Sequence, residues 1–247
     1  MTDPFQPLSH ADDAPPAAED GHHHADVSGG WLRPAVFGAM DGLVTNIALV
    51  AGVGGGGAGR ATIILTGMAG LVAGAFSMAL GEFASVDTQN DAVAHEVRVE
   101  RDEIDRHPED EKAELADMYE QMGLTRPTAE AVAQEVHADP ELAVKVHIVQ
   151  ELGVDPDDQP SPWTAAISSF VAFSIGGIFP LVSYLLGSAS LLLALTVGAV
   201  GLFAAGAITS RFTTRSWWLS GLRQLMFGAI AAGATYLVGM AIGVSAG

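Results

Sequence analysis

Residues 70–107 read GLVAGAFSMALGEFASVDTQNDAVAHEVRVERDEIDRH, and this stretch decides the fold because it changes from apolar to acidic without a helix breaker. No glycine or proline occurs from Glu82 to Arg106, so one helix is predicted to leave the membrane and continue until Pro108 ends it. Beyond the membrane lies an acidic segment, residues 90–158, with 20 Asp or Glu against 6 Lys or Arg. The sequence therefore predicts a water-soluble segment built directly onto a membrane helix.

Apolar runs on both sides of the acidic segment are long enough to cross a bilayer core of about 30 Å. The predicted spans are residues 35–53, 61–85, 163–186, 188–210 and 217–244. The fold class that follows is an all-α membrane protein with five transmembrane helices and a cytoplasmic helical domain inserted between the second and third. The corresponding division is a disordered tail over 1–30, transmembrane helices 1 and 2 over 31–89, the acidic domain over 90–158 and transmembrane helices 3 to 5 over 159–247.

The composition excludes several kinds of site. No cysteine is present, so a metal would be held by oxygen, imidazole or thioether rather than thiolate. The first 27 residues are polar and acidic, with no basic segment followed by an apolar run, which predicts a disordered tail and not a signal peptide. His22, His23 and His24 in this tail are open to two interpretations, weak metal binding or simple solvation. No nucleic-acid partner is expected.

Basic residues beside the short loops predict the orientation of the chain in the membrane. Arg33 precedes the first span, and Arg211, Arg215 and Arg223 surround the connection between the fourth and fifth spans. Only Arg60 lies in the opposite set of loops. This distribution places the amino terminus and the acidic segment in the cytoplasm and the carboxyl terminus outside.

Within the acidic segment, helical spacing aligns several candidate metal ligands. The aligned groups are Glu96, Glu100 and Glu103 on the continuation of the second span, Glu111 and Glu114 on the next helix, and His147 with Glu151 on the last. Oxygen donors with one imidazole suit Fe, Mn or Zn better than copper(I). The same pattern fits a solvated acidic face held by Arg98, Arg101 and Arg106, and spacing alone does not separate the two.

Ionisable and thioether side chains within the spans indicate a second candidate site. Asp41 lies in the first span, where a carboxylate costs roughly 2.5–3.5 kcal/mol, so it is a functional candidate. Met78 and Glu82 are one helical turn apart on the second span and offer further donors. The alternatives are a packing role for Met78 and an interfacial role for Glu82.

Several separate motifs resemble the vacuolar iron transporter family. They are residues 31–44 (WLRPAVFGAMDGLV), 70–83 (GLVAGAFSMALGEF), 176–181 (GGIFPL), 211–216 (RFTTRS) and 220–223 (SGLR). The resemblance extends over about residues 31–243 with the same order of elements. It implies a homodimeric secondary transporter, not an enzyme, that exports ferrous iron and often manganese from the cytoplasm in exchange for protons. The bacterial style of the motifs favours the cell (inner) membrane.

The resemblance also assigns roles to individual residues. It implies that Asp41 and Met78 line the translocation path, and we add the hypothesis that Asp41, with Glu82, alternates between metal and proton. The metal-binding glutamates that it implies are Glu100, Glu103, Glu111, Glu114 and Glu151. Where the eukaryotic pattern has two methionines, this chain has His147 and Ile148, which makes the site harder. No resident cofactor is expected, because the divalent metal, Fe(II), Mn, Zn, Co or Ni, is the cargo and the bound ion.

Two other classes of function are considered. A membrane-attached di-iron ferroxidase would use Glu-x-x-His pairs on the helices of a bundle, and the predicted helices contain no such pair. A membrane protein that senses or stores metal without transport is the second alternative. Asp41 within the bilayer argues against it.

Overall fold

The computed structural model describes residues 30–212 and 214–246 of the 247-residue chain. Within these ranges the helices are α1 Leu32–Gly55, α2 Arg60–Arg106, α3 Pro108–Gln121, α4 Arg126–Val136, α5 Pro140–Leu152, α6 Pro162–Ile178, α7 Val182–Leu185, α8 Leu191–Thr209 and α9 Trp217–Ala246. Short 3₁₀ turns occur at Phe179–Leu181 and Ser210–Phe212, and the described ranges contain no β-strand. The predicted disordered tail, including His22–His24, lies outside the described residues.

Five helical stretches are long and apolar enough to cross a membrane: α1, α2, α6 with α7, α8 and α9. This confirms the prediction of an all-helical chain with five candidate membrane helices. The helices α3, α4 and α5 follow the second of these stretches and precede the third in chain order.

Helix α2 contains 47 residues and extends well past its apolar part, residues 61–85. At 1.5 Å per residue it is about 70 Å long, more than twice the thickness of a bilayer core. It ends at Arg106 as predicted, because Pro108 cannot continue the hydrogen-bond ladder and instead begins α3. The polar end of α2 is therefore attached to its membrane part without an intervening loop.

The third span differs from the prediction of one helix over residues 163–186. Helix α6 ends at Ile178, and a 3₁₀ turn containing Pro180 separates it from the short α7. Pro180 has no N–H group to donate to a carbonyl in the preceding turn. Beside the break, the Gly177 carbonyl instead accepts a hydrogen bond from Asn46 Nδ2 of α1 at 2.6 Å. A hydropathy pattern does not reveal such a break, because the flanking residues remain apolar.

Helix α1 lies at the centre of the membrane bundle, where it packs most extensively against α6 and α9. Two glycines permit this close approach. A methyl group at Gly42 would collide with the Phe173 carbonyl oxygen of α6, and one at Gly239 of α9 would collide with the Gly52 carbonyl oxygen of α1. Small residues at helix crossings are typical of packing in membranes.

Contacts at the helix ends agree with successive crossings of one membrane. The Arg60 Nε group at the start of α2 donates to the Tyr184 carbonyl of α7 at 2.9 Å. At the other end of the bundle, Asn90 Nδ2 of α2 donates to the Pro160 carbonyl, two residues before α6, at 3.0 Å. The start of α2 therefore lies beside the end of the third span, and its polar half lies beside the start of that span.

Candidate metal centre

Two small apolar clusters pack the helices of the acidic segment together. One packs α5 on α2 through Ile104, Val144 and Ile148, and the other packs α4 on α3 through Leu115 and Ala129. The remaining members of these clusters are Val97, Ala116, Tyr119, Leu124, Ala133, Val136, Ala143 and Val146. Because Val136 belongs to both clusters, the four helical pieces form a continuous packed unit.

Helix α5 is fixed at both ends by local sequence signals. The Asp139 side chain accepts hydrogen bonds from the backbone N–H groups of Glu141 and Leu142, at 3.0 and 3.4 Å. At the other end, Gly153 adopts a left-handed conformation with φ of 67°. These caps set the length and register of the helix that carries His147 and Glu151.

Four predicted ligands meet where α2, α3 and α5 come together. The His147 Nδ1 atom lies 3.1 Å from Glu100 Oε1 and 3.3 Å from Glu151 Oε1. The Glu111 Oε2 atom of α3 lies 3.7 Å from the same nitrogen. Ligand atoms from Glu100, His147 and Glu151 all lie within 4.8 Å of one another, which is close enough for one cation to contact all three.

Two ligands of the centre are buried, and its charge is incompletely balanced. The His147 side chain is 0% exposed and that of Glu100 is 10% exposed. Burial, together with the nearby carboxylates of Glu151 and Glu111, raises the pKa of Glu100 to about 7. Burial also raises the pKa of Glu111, and Glu114 adds to that effect. A divalent cation would remove the repulsion that causes part of these shifts.

The basic residues of the segment do not neutralise this centre. Arg101 pairs with Glu141 at 2.6 Å, and Arg106 pairs with Asp102 at 2.8 Å. The other ion pairs are Lys112 with Glu109, Arg126 with Asp117, Glu120 and Glu130, and Lys145 with Asp155 and Asp157. Five of the six basic residues in the acidic segment therefore pair with carboxylates outside the centre, which weakens the interpretation as a solvated face held by arginines.

Two predicted ligands lie at the edge of the centre. The Glu103 Oε2 atom is 3.1 Å from His107 Nδ1, and both side chains are about half exposed. Glu114 is exposed on α3. Both carboxylates still raise the pKa of Glu100, so they lie near enough to act on it electrostatically. Glu100, Glu111, His147 and Glu151 form the inner group, while Glu103 and Glu114 face solvent beside it.

The membrane candidates lie on α1 and α2, which pack against each other. Asp41 is partly buried, and its Oδ1 atom accepts a hydrogen bond from Thr45 Oγ1 at 3.4 Å. Met78 is partly buried on α2. The Glu82 side chain is 11% exposed, and its Oε2 atom lies 4.0 Å from Arg33 Nη1 at the start of α1. Glu82 thus lies near the guanidinium group of Arg33, at the end of the bundle that adjoins the acidic segment.

Asn46 is a membrane residue that the sequence analysis overlooked. It is 0% exposed, and its amide bridges α1 to the break after α6 while its Oδ1 atom has no hydrogen-bond partner. Buried polar side chains in membrane helices commonly hold helices together or serve function. An amide five residues after Asp41 in an otherwise apolar run was the signal available.

Replacing Asn46 by leucine is expected to destabilise the bundle by about 1–2 kcal/mol, because the Gly177 carbonyl loses its donor in an apolar environment. The measurement is the thermal unfolding midpoint in detergent. Thr196→Val is the matched control, since the Thr196 hydroxyl donates to the Leu192 carbonyl of its own helix at 2.8 Å. Equal midpoints for the two variants would contradict a bridging role for Asn46.

Comparison with known proteins gives the family. The sequence profile of the VIT family matches residues 32–240. The chain is 31% identical over 232 residues to vacuolar iron transporter 1 of Oryza sativa subsp. japonica, covering 92% of this chain and 92% of the relative. It is 34% identical over 203 residues to the vacuolar iron transporter of Acanthamoeba castellanii, covering 77% and 74%. With its five apolar helices it is a multi-pass membrane protein, and because these matches extend over most of both chains, it belongs to the VIT family.

Proposed function

We propose that this protein exports ferrous iron, and manganese, from the cytoplasm in exchange for protons, and that the acidic segment captures the metal. One observation carries the proposal. Glu100, His147 and Glu151 form one group of possible ligands with Glu111 beside it, and Glu100 lies on α2, which continues directly into a candidate membrane span. The names of the relatives, which are iron transporters, support metal as the cargo.

The proposed orientation follows from the basic residues beside the loops. The amino terminus and the acidic segment face the cytoplasm, and the carboxyl terminus lies outside the cell membrane. Glu82 lies at the proposed cytoplasmic end of the bundle, where Arg33 Nη1 is 4.0 Å from its Oε2 atom and would compete with a metal cation for this carboxylate. The working unit is proposed to be a homodimer, as the resemblance to the family implies, and the dimer would bring two acidic segments together.

Proton coupling has an energetic reason. Moving a divalent cation out of a negatively charged cell costs about 4.6 kcal/mol per 100 mV, twice the value for one charge. The return of two protons cancels this charge movement, and each unit of inward pH gradient then contributes about 1.4 kcal/mol per proton. Asp41, with Glu82, is the proposed exchange site, because a carboxylate holds either a metal or a proton.

Transport in proteoliposomes tests the proposal. With a pH gradient imposed, we expect radiolabelled Mn²⁺ or Fe²⁺ flux through the parent protein to be accompanied by opposite proton flux. Asp41→Ala is expected to lower both fluxes at least about tenfold, since it removes the only proposed carboxylate in the first span. Asp87→Ala, which removes an exposed carboxylate on α2 beyond the apolar part, is the matched control.

Three outcomes would count against the proposal. Metal flux without proton flux would exclude antiport, and parent-like flux in Asp41→Ala would exclude the exchange site. Metal binding by the parent without any flux would favour the sensing or storage alternative. A competition series with Fe²⁺, Mn²⁺, Co²⁺, Ni²⁺ and Zn²⁺ in the same vesicles gives the preferred cargo.

A further inference from the structure

A second histidine contacts the proposed capture site. His137, which follows the last residue of α4, packs its ring against that of His147, with ring centroids 5.2 Å apart and planes at 86°. Its Nδ1 atom lies 2.9 Å from the Ala133 carbonyl oxygen. A carbonyl only accepts, so Nδ1 carries the proton and a neutral His137 has its lone pair on Nε2. This Nε2 atom is buried and has no hydrogen-bond partner.

On the His147 ring, as on that of His137, only the Nδ1 atom has polar partners. Its Nδ1 atom is the one that meets Glu100, Glu111 and Glu151. Its Nε2 atom is buried, like that of His137, and has no hydrogen-bond partner. Two buried ring nitrogens thus remain unpaired on two rings that touch. Buried polar atoms are rarely left unpaired without a reason.

Metal binding would change the hydrogen-bonding role of the His147 Nε2 atom. A cation held by the carboxylates would take the Nδ1 lone pair of a neutral imidazole, so the ring proton would move to Nε2. A buried N–H without an acceptor is unfavourable. The adjoining His137 ring offers one acceptor, the Nε2 lone pair that its bond to Ala133 leaves free.

We propose that His137 is a positioning residue for metal capture, which accepts the Nε2–H of His147 and so fixes the tautomer in which Nδ1 binds the cation. This inference rests on the proposed capture site and deepens it. Outer partners of ligating histidines commonly act in this way, by accepting from the second ring nitrogen. The proposed series of hydrogen bonds runs outward from His147 to His137 and then to the Ala133 carbonyl.

A separate cation site between the two rings is less favourable. It would have two nitrogen donors, whereas the opposite side of His147 offers three carboxylates. The ammonium of Lys112 is near enough to act on His137 electrostatically, and it would repel a cation there. The arrangement therefore fits an outer partner and not a second ligand set.

The test compares Mn²⁺ affinity of the full-length protein in detergent among three variants. His137→Phe keeps a ring but removes the acceptor, and it is expected to weaken binding 10–100-fold, the usual effect of losing an outer partner. His137→Gln restores an acceptor oxygen and is expected to bind within about threefold of the parent. His95→Phe, which replaces an exposed histidine of α2, is the control and should bind like the parent.

A spectroscopic readout separates positioning from simple packing. With Zn²⁺ as a diamagnetic probe and ¹⁵N-labelled histidine, His147 is expected to carry its proton on Nε2 and to show coupling across a hydrogen bond to His137. A protonated Nδ1 on zinc-bound His147 would overturn the proposal. So would parent-like Mn²⁺ affinity in His137→Phe, or equal weakening in His137→Phe and His137→Gln.

Failure of this inference is distinguishable from failure of the capture site itself. Glu100→Gln removes an inner carboxylate and leaves the histidine pair intact. Weaker Mn²⁺ binding in Glu100→Gln with parent-like binding in His137→Phe would overturn the role of His137 alone. Parent-like binding in Glu100→Gln would reject the capture site, and with it the role of His137.

Discussion

Replacing Glu100 by glutamine is expected to weaken Mn²⁺ binding by about 100-fold, at least as much as the loss of an outer partner. In the parent, affinity is expected to fall about tenfold between pH 8 and pH 6, because one proton competes with the metal across the Glu100 pKa of about 7. The variant should show a smaller dependence on pH, since glutamine does not titrate. Isothermal calorimetry at pH 6, 7 and 8 measures both effects.

The direction in which Glu100→Gln changes thermal stability distinguishes the loss of a metal ligand from damage to the fold. Burial raises the pKa of Glu100 from its usual 4.5 to about 7. Between these two pH values Glu100 is mostly protonated in the metal-free folded protein and mostly ionised in the unfolded chain. Stability from this group is therefore present at low pH and lost as pH rises through that window. Glu100→Gln should unfold at the same or a higher temperature than the parent at pH 8 without metal.

The matched control is Glu96→Gln, which replaces an exposed carboxylate one turn earlier on α2. It should leave Mn²⁺ affinity and its dependence on pH unchanged. If Glu96→Gln and Glu100→Gln weakened binding equally, the metal would be attracted by the general negative charge of the segment. That result would reject a defined centre at His147.

Local signals were sufficient for most of the fold. Pro108, Gly123, Pro140 and Gly153 mark helix ends in the acidic segment, and the helices begin or end within two residues of them. These residues act through the backbone of their own turn, so their effect does not depend on tertiary packing. The break after α6 was missed although Pro180 is itself a local signal, because the third span was predicted from hydropathy and the residues around Pro180 remain apolar.

The candidate site was predictable to a smaller extent. Helical spacing places Glu100 and Glu103 on one face, but it does not say which of them points into the packed unit. Packing of Ile104 and Ile148 decides this, since it buries Glu100 and leaves Glu103 beside solvent and His107. His137 has no spacing relation to the proposed ligands, so only the tertiary contact with His147 reveals it.

Breaking α2 between its membrane part and the acidic segment should uncouple capture from transport. Gln89 is exposed, and Gln89→Pro would remove a hydrogen bond from the helix interior at a cost of about 3 kcal/mol and kink it. The two apolar clusters of the acidic segment lie beyond this point, so we expect Mn²⁺ affinity to stay within about threefold of the parent. Transport in proteoliposomes is expected to fall more than about tenfold, because the kink displaces the centre from the span below it.

Gln89→Ala keeps the helix and removes the side-chain hydrogen bonds from Gln89 to Ser85, so it is the control for the loss of the side chain itself. Asn90→Ala removes the donor to the Pro160 carbonyl and tests whether this link to α6, and not the helix, carries the coupling. Full transport by Gln89→Pro would show that the rigid connection is unnecessary. A loss confined to Asn90→Ala would assign the coupling to the contact with the start of the third span, since the acidic segment joins the membrane bundle at both of its ends.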